Sequence, residues 1–413
     1  MRRRETDEHV FHGNSRCARL PFPSCVLGIR SVRRWENRAV TDASTTALPA
    51  SHPLVSGRTS GSPLVRALRG DRPETLPVWF MRQAGRSLPE YRELRVGTAM
   101  LDACLDPAMA SEITLQPVRR HGVDAGIFFS DIVVPIKLAG VDVEIVPGRG
   151  PVLASPIRTP ADVDALGQLD ATALAPITDA VARTVEQLGD TPLIGFAGAP
   201  FTLAAYLVEG GPSKDHIRAR TLMHSDPETW SRLLAWAAGV SGAFLRAQVL
   251  AGASAAQLFD SWVGSLSRED YVTRVAPHSA DALAHVADLG VPRIHFGVGS
   301  GEVLRDMTTF GTDRVGVDAV GVDWRLPLDE AVRRVGTGVT VQGNIDPAML
   351  SAPWEVLEAH VRDVVRRGGA ARAHVVNLGH GVPPETDPTV LTRIVSLVHE
   401  LGDGTAAATG ARA

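Results

Sequence analysis

The chain has 413 residues, a net charge of −4, 44% hydrophobic residues and 21% charged ones. That balance suits a globular protein with a sizeable core, arranged as one large α/β domain or two smaller ones. It argues against a general nucleic-acid or membrane-surface role, so an anionic ligand would need a local basic pocket.

The first segment, residues 1–61, carries Arg2, Arg3, Arg4, Arg16, Arg19, Arg30, Arg33, Arg34 and Arg38, then a Ser/Thr/Ala/Pro/Gly run from Thr41 to Pro63. Glu5, Asp7 and Glu8 come too early for a transit peptide, and no apolar signal core follows the arginines. We expect a disordered extension here, or upstream sequence translated from a misassigned start. A disordered tail is expected over residues 403–413. The three cysteines, Cys17, Cys25 and Cys104, cannot form a disulfide framework for a chain of this size. The longest weakly polar stretch, Leu234 to Leu245, falls short of the roughly 20 apolar residues of a spanning helix, so no membrane span is expected.

From residue 62 to 402 the chain alternates short apolar runs with longer amphipathic stretches. Eight runs read as strands: residues 77–81, 126–130, 192–198, 255–261, 293–298, 319–324, 339–344 and 374–379. Helical stretches between them fall at about 107–121, 174–188, 226–252, 268–289, 300–310, 327–336, 353–368 and 388–402. Eight βα units over this length predict a single α/β domain built as a (β/α)₈ TIM-type barrel. Residues 141–157, with Pro and Gly punctuation and alternating Val and Glu, predict an inserted β-hairpin. A doubly wound open sheet is the rival, because periodicity alone does not show closure. The glycines of GVGSGE do not form G-x-G-x-x-G, so a dinucleotide site is not supported.

In a barrel the segments after the strands form one mouth, where chemistry gathers. Arg82, Gln83 and Arg86 follow the first strand, with Arg92 and Arg95 close behind. Planar guanidinium forks at a strand end suit carboxylates or phosphates; a solvated, Arg-rich helix start is the plain alternative. Asp131 interrupts the apolar run FFSDIVVP. A carboxylate there is costly to bury unpaired, so it needs a cationic partner or a ligand. No His/Cys/Asp/Glu group at ligand spacing lies near it, so no metal is expected. Tyr206 reads equally as a core aromatic, Ser261 as a turn cap outside any G-x-S-x-G elbow, and His380 as an exposed loop residue between glycines.

These stretches together, PVWFMRQAGRSLPEYRELR, FFSDIVVP, GFAGAPFTLAAYLVEG, QLFDSWVG, VGVDW, VQGNIDP and NLGHGVPPETDP, resemble the uroporphyrinogen decarboxylase family from about Ser62 to Gly402. The resemblance implies a (β/α)₈ barrel, usually a homodimer, cytoplasmic, acting without metal or organic cofactor in haem and related tetrapyrrole synthesis. It implies uroporphyrinogen as the partner, whose four acetates leave as CO₂ to give coproporphyrinogen. It places substrate-carboxylate contacts on Arg82, Arg86 and Arg95, with Gln83 inside the same motif. The central carboxylate falls on Asp131, and the remaining site residues on Tyr206, Ser261 and His380. Two positions depart from the family pattern: Ser87 stands where an aromatic is common, and Asp260 where a glutamate is frequent. A relative on the same barrel transfers methyl groups through a zinc held by Cys and His, and this chain has no cysteine after Cys104.

Overall fold

The computed structural model describes residues 47–410 apart from 315, with side chains as far as 402. Its centre is a curled parallel sheet. Seven strands pair in the order β1 (Gly126–Ile127), β4 (Leu193–Gly198), β5 (Ala255–Asp260), β6 (Arg293–Gly297), β7 (Ala319–Gly321), β8 (Thr340–Gln342) and β9 (His374–Val375). Every pairing among them is parallel. Nearly every strand position is buried: β4 is a continuous apolar run, LIGFAG, while β5, β6, β8 and β9 bury Gln257, His295, Gln342 and His374 among apolar neighbours.

The eighth position is filled by the extended segment 77–81, expected as a full strand. It contributes one parallel bridge, Val78 to Val376. On that side Trp79 N–H donates to Val376 O and Val376 N–H to Pro77 O; on the other, Asp124 N–H donates to Val78 O at 2.9 Å. The segment thus bonds to the last strand and to the approach of the first, and the barrel closes. Inside it, Trp79 Nε1 donates to Gln342 Oε1 at 3.2 Å, and Gln342 Nε2 donates to Gln257 Oε1 at 3.0 Å, all three side chains fully buried. Closure rules out the open-sheet alternative.

Helices wrap the outside, and aspartate–proline pairs open several of them. Asp106 caps the helix Pro107–His121 and Asp226 the helix Pro227–Leu250, each accepting from backbone N–H groups of the first turn, with proline at the first position. The second helix is longer than the 12 apolar residues read from sequence, and by length and composition could cross a bilayer. Two-thirds (67%) of its most apolar window is instead buried within the protein. Its Ser241 donates to Gly198 O and its Gln248 to Phe196 O, tying it to the end of β4.

The expected hairpin is present: β2 (Val143–Val146) pairs antiparallel with β3 (Gly150–Leu153), outside the barrel sheet.

The described structure extends past residues 62 and 402 at its two ends. Residues 47–61 are placed, where disorder was expected through 61. His52 and Thr59 are buried, His52 Nε2 lies 3.0 Å from Val249 O, and Thr59 Oγ1 lies 2.8 Å from Ser254 Oγ just ahead of β5. The segment therefore packs at the amino-terminal end of the barrel, opposite the mouth. At the other end, the helix Pro388–Gly410 runs on through residues expected to be a loose tail. The expectations for residues 1–46 and 411–413 lie outside the described residues.

Candidate active site

A cavity of about 980 Å³ opens at the carboxyl end of the barrel strands. Its wall combines Arg82, Arg86, Arg95, Asp131, Tyr206, Ser261 and His380, seven of the eight expected site residues, drawn from positions 298 apart in sequence between Arg82 and His380. A smaller cleft of about 500 Å³ on the outer surface, around Trp354 and Arg393, gathers no comparable chemistry.

Arg82 follows the closing segment in a left-handed backbone conformation, φ +56°, uncommon for a residue with a Cβ. The surroundings hold it there. Met81 N–H donates to Asn377 Oδ1 at 3.0 Å, Val382 N–H donates to Met81 O at 2.9 Å, and Gln83 N–H donates to Phe80 O at 3.1 Å. Gly381 passes directly over the side chain: a Cβ there would lie 2.4 Å from Arg82 Cδ. The loop that carries His380 therefore also sets the aim of Arg82.

Gln83 points elsewhere. It is fully buried, its Oε1 accepts from Phe80 N–H and its Nε2 donates to Ala125 O, both at 3.0 Å, and it does not line the cavity. Its side chain braces the turn between the closing segment and the approach to β1 instead of facing the cavity. Arg95 lines the cavity while bonded to Tyr91 Oη at 3.1 Å and Thr98 O at 3.0 Å, which fix its fork.

Asp131 is the sole carboxylate among the described residues lining the cavity. Its Oδ1 accepts from Val133 N–H at 3.0 Å, at the start of the helix Val134–Leu138. Burial raises its pKa above the ordinary carboxylate value, against the Val133 hydrogen bond and the positive charge of Arg82, which both lower it. No ion pair closer than 4 Å neutralises it among the described residues. The side chain is half-buried at a cavity wall, so a ligand that donates hydrogen bonds or carries positive charge can reach it.

Tyr206 lies against the indole of Trp262, ring centroids 3.9 Å apart. Burial, then the Asp131 charge, pushes its pKa up to about 12, so its hydroxyl stays protonated and can donate. The His380 imidazole is pushed down to about 4 by burial and by the charges of Arg82 and Arg325, so it is neutral near pH 7. Behind Ser261, the fully buried Asp260 accepts from Thr202 Oγ1 at 2.8 Å, and its other oxygen lies 3.9 Å from His295 Nε2. Burial pushes Asp260 up to about 7 and His295 down to about 4.

Sequence reasoning missed several parts of the wall. Phe196, Phe259 and Phe296 form an apolar floor, with successive ring centroids 5.4 and 5.8 Å apart. Phe259 and Phe296 are register partners on β5 and β6, and Phe196 on β4 lies opposite Gln257, two residues before Phe259. Ser130 lines the cavity with its hydroxyl buried and unpartnered. Arg149, on the turn of the hairpin, adds a fourth guanidinium.

The molecule is thus a (β/α)₈ barrel whose strand ends carry arginines, one carboxylate and an aromatic floor, a site shaped for a polyanionic ligand with a broad apolar face. Known proteins agree on the lineage. Residues 59–401 match the family model described as uroporphyrinogen decarboxylase (URO-D). The chain is 66% identical over 375 residues to uroporphyrinogen decarboxylase of Leifsonia xyli subsp. xyli, covering 86% of this chain and 98% of that one. It is 67% identical over 347 residues to the Arthrobacter sp. protein of the same name, covering 84% and 99%. Among solved structures, a methyltransferase from Methanosarcina mazei superposes with a TM-score of 0.68 at 19% identity, over 82% of this chain and 97% of that one, a likeness of fold alone. The chain belongs to the uroporphyrinogen decarboxylase family.

Proposed function

We propose that this protein is a carboxy-lyase that removes the four acetate carboxyls of uroporphyrinogen III as CO₂, giving coproporphyrinogen III, without metal or organic cofactor. The observation that carries the reading is Asp131, a single carboxylate in a cavity whose other charged side chains are arginines. A site built only to hold a polyanion gains nothing from it. A site that must stabilise a transient cation does.

Loss of CO₂ from a pyrrole acetate leaves an electron pair on the methylene carbon. The ring must first become an electron sink. Protonating the ring carbon beside the acetate gives an iminium-like cation, the carbon–carbon bond breaks toward it, and CO₂ departs. The methylene carbon then takes a proton as the ring carbon loses one, so each acetate consumes one proton and becomes a methyl. Asp131, aimed at the pyrrole N–H groups, orients the macrocycle and stabilises the cation; such preorganised electrostatics is usually the largest catalytic contribution.

Arg82 grips the reacting acetate through its planar guanidinium fork. Arg86 and Arg95 hold other carboxylates. The protonated Tyr206 hydroxyl, Ser261 and the neutral His380 hydrogen-bond the periphery and set the rotation of the ring. Phe196, Phe259 and Phe296 offer the macrocycle an apolar surface. The protein acts in the cytoplasm as a homodimer, two features that rest on family resemblance.

The test is CO₂ release from freshly reduced uroporphyrinogen, with products resolved by carboxylate number. Four equivalents of CO₂ and a tetracarboxylic product are expected; tight binding without CO₂ release would overturn the assignment in favour of a tetrapyrrole carrier. Zinc-dependent methyl transfer on the same barrel would need a Cys/His ligand set, and no group of three potential metal ligands comes together among the described residues.

A further inference from the structure

The hairpin β2–β3 stands outside the barrel sheet, yet its tip reaches the active cavity: Ile145, Val146, Pro147, Gly148 and Arg149 all line it. The turn is specified in the sequence. Arg149 N–H donates back to Val146 O at 3.0 Å, Pro147 leads the turn, and Gly148 and Gly150 take φ of +75° and +92°, where residues with a Cβ are strained. The base of the hairpin is pinned. Ala154 N–H donates to Asp142 O at 3.1 Å, Leu153 N–H to Gly210 O at 3.1 Å, and Ile157 N–H to Leu207 O at 2.9 Å. The last two bonds tie it to the end of the helix Pro200–Glu209 that also carries Tyr206. Close packing reinforces them, since a Cβ on Gly210 would lie 2.6 Å from Pro156 Cγ. The tip is therefore presented to the cavity by a fixed frame.

Arg149 is exposed and forms no side-chain hydrogen bond or ion pair among the described residues. Many other arginines are spoken for, as in the pairs Arg120–Glu90, Arg268–Asp306 and Arg367–Asp329. An unpaired guanidinium on the rim of a cavity with one carboxylate is poised for an anion that arrives from solution. Arg82, Arg86 and Arg95 all come from the segment after the closing strand; Arg149 reaches the cavity from a separate element.

We infer that Arg149 is a further substrate-binding residue, which takes a carboxylate of the bound polyanion other than the one being lost. The inference rests on the proposed reading of this cavity as the site for uroporphyrinogen. That substrate has more peripheral carboxylates, four acetates and four propionates, than the inner arginines can engage. Because Arg149 sits at the rim and Asp131 in the wall, the residue contributes to capture and not to bond breaking. Its loss therefore appears in KM and leaves kcat in place.

The experiment compares wild type with Arg149→Ala, Arg149→Lys and Arg149→Glu. Binding of uroporphyrin, the stable oxidised analogue with the same eight carboxylates, is followed by fluorescence at low and high salt. KM and kcat for uroporphyrinogen are measured in parallel. Removing one exposed charge-assisted contact is expected to raise Kd and KM about tenfold in Arg149→Ala, with kcat within about twofold. Arg149→Lys recovers part of the loss, Arg149→Glu is weaker still, and high salt narrows the gaps. Wild-type Kd and KM in Arg149→Glu overturn the inference, even if CO₂ is released normally. Weakened uroporphyrin binding in Arg149→Glu with no CO₂ release from any form supports the inference and defeats the decarboxylase reading. Absence of both uroporphyrin binding and uroporphyrinogen turnover in the wild type defeats both.

Discussion

Replacing Asp131 by asparagine keeps the shape of the side chain, and its Oδ1 can still accept from Val133 N–H at the start of the helix Val134–Leu138. Only the charge is lost. A full charge about 5 Å from a developing pyrrole cation, in a site of effective dielectric about 20, is worth about 3 kcal/mol. That converts to a loss in kcat on the order of a few hundredfold. Stability should move the other way. Burial raises the Asp131 pKa, so the folded protein favours the uncharged carboxyl, and the stabilising protonation present at low pH is lost as pH rises through the folded value. At pH 8 the asparagine variant should therefore unfold at the same temperature as wild type or higher. The assay is CO₂ release under saturating uroporphyrinogen, paired with a thermal melt. Turnover within about fivefold of wild type would refute the electrostatic role. A large loss accompanied by a lowered melting temperature would show structural damage and refute the argument equally.

Three further outcomes are expected. Arg82→Lys keeps the charge and loses the planar fork, so kcat/KM should fall at least about tenfold with folding intact; a near-wild-type value would remove Arg82 from the reacting acetate. Gly381→Ala places a methyl 2.4 Å from Arg82 Cδ and should depress activity by re-aiming that side chain, with uroporphyrin affinity less affected than turnover. Unchanged kcat would show that Arg82 tolerates displacement. Asp260→Asn addresses pH dependence. A folded pKa of about 7 against the ordinary 3.8 means Asp260 contributes stability below about pH 4 that is lost as pH rises through 7, an effect of up to about 4 kcal/mol. The variant should flatten the fall in melting temperature between pH 5 and pH 8; a wild-type slope would mean that Asp260 does not titrate in this range.

Much of the barrel was legible because buried parallel strands leave a signature that needs no tertiary information: short runs of Val, Ile, Phe and Ala between capped helices. The first strand was the exception. PVWFM reads like the others, but its pairing reduces to one bridge and a few bonds, because Asp124 Oδ2 takes Val78 N–H where a neighbouring strand would have supplied the acceptor. Segment 47–61 was read as disordered from its polar composition. Its order comes from a few specific bonds, such as that between Thr59 and Ser254, which composition cannot register.

In the site, charged residues after strands were easy to nominate and hard to orient. Gln83 and Arg82 are adjacent, yet one is consumed by a turn and the other faces the cavity, a difference fixed by the positive φ of Arg82 and by the distant Asn377 and Gly381. Arg149 was hidden for another reason. The hairpin was visible as a hairpin, but where its tip lands depends on bonds to Leu207 and Gly210, more than 50 residues away.

The seam between residues 77–81 and β9 joins the earliest and latest parts of the barrel, Val78 with Val376. A ribosome must deliver almost the whole polypeptide before that ring can shut, so the 77–81 segment and β8 each keep an unpaired edge until synthesis nears completion. Shortening the gene anywhere before His374 would make this permanent, leaving an open crescent with bare strand edges prone to stick to its own kind.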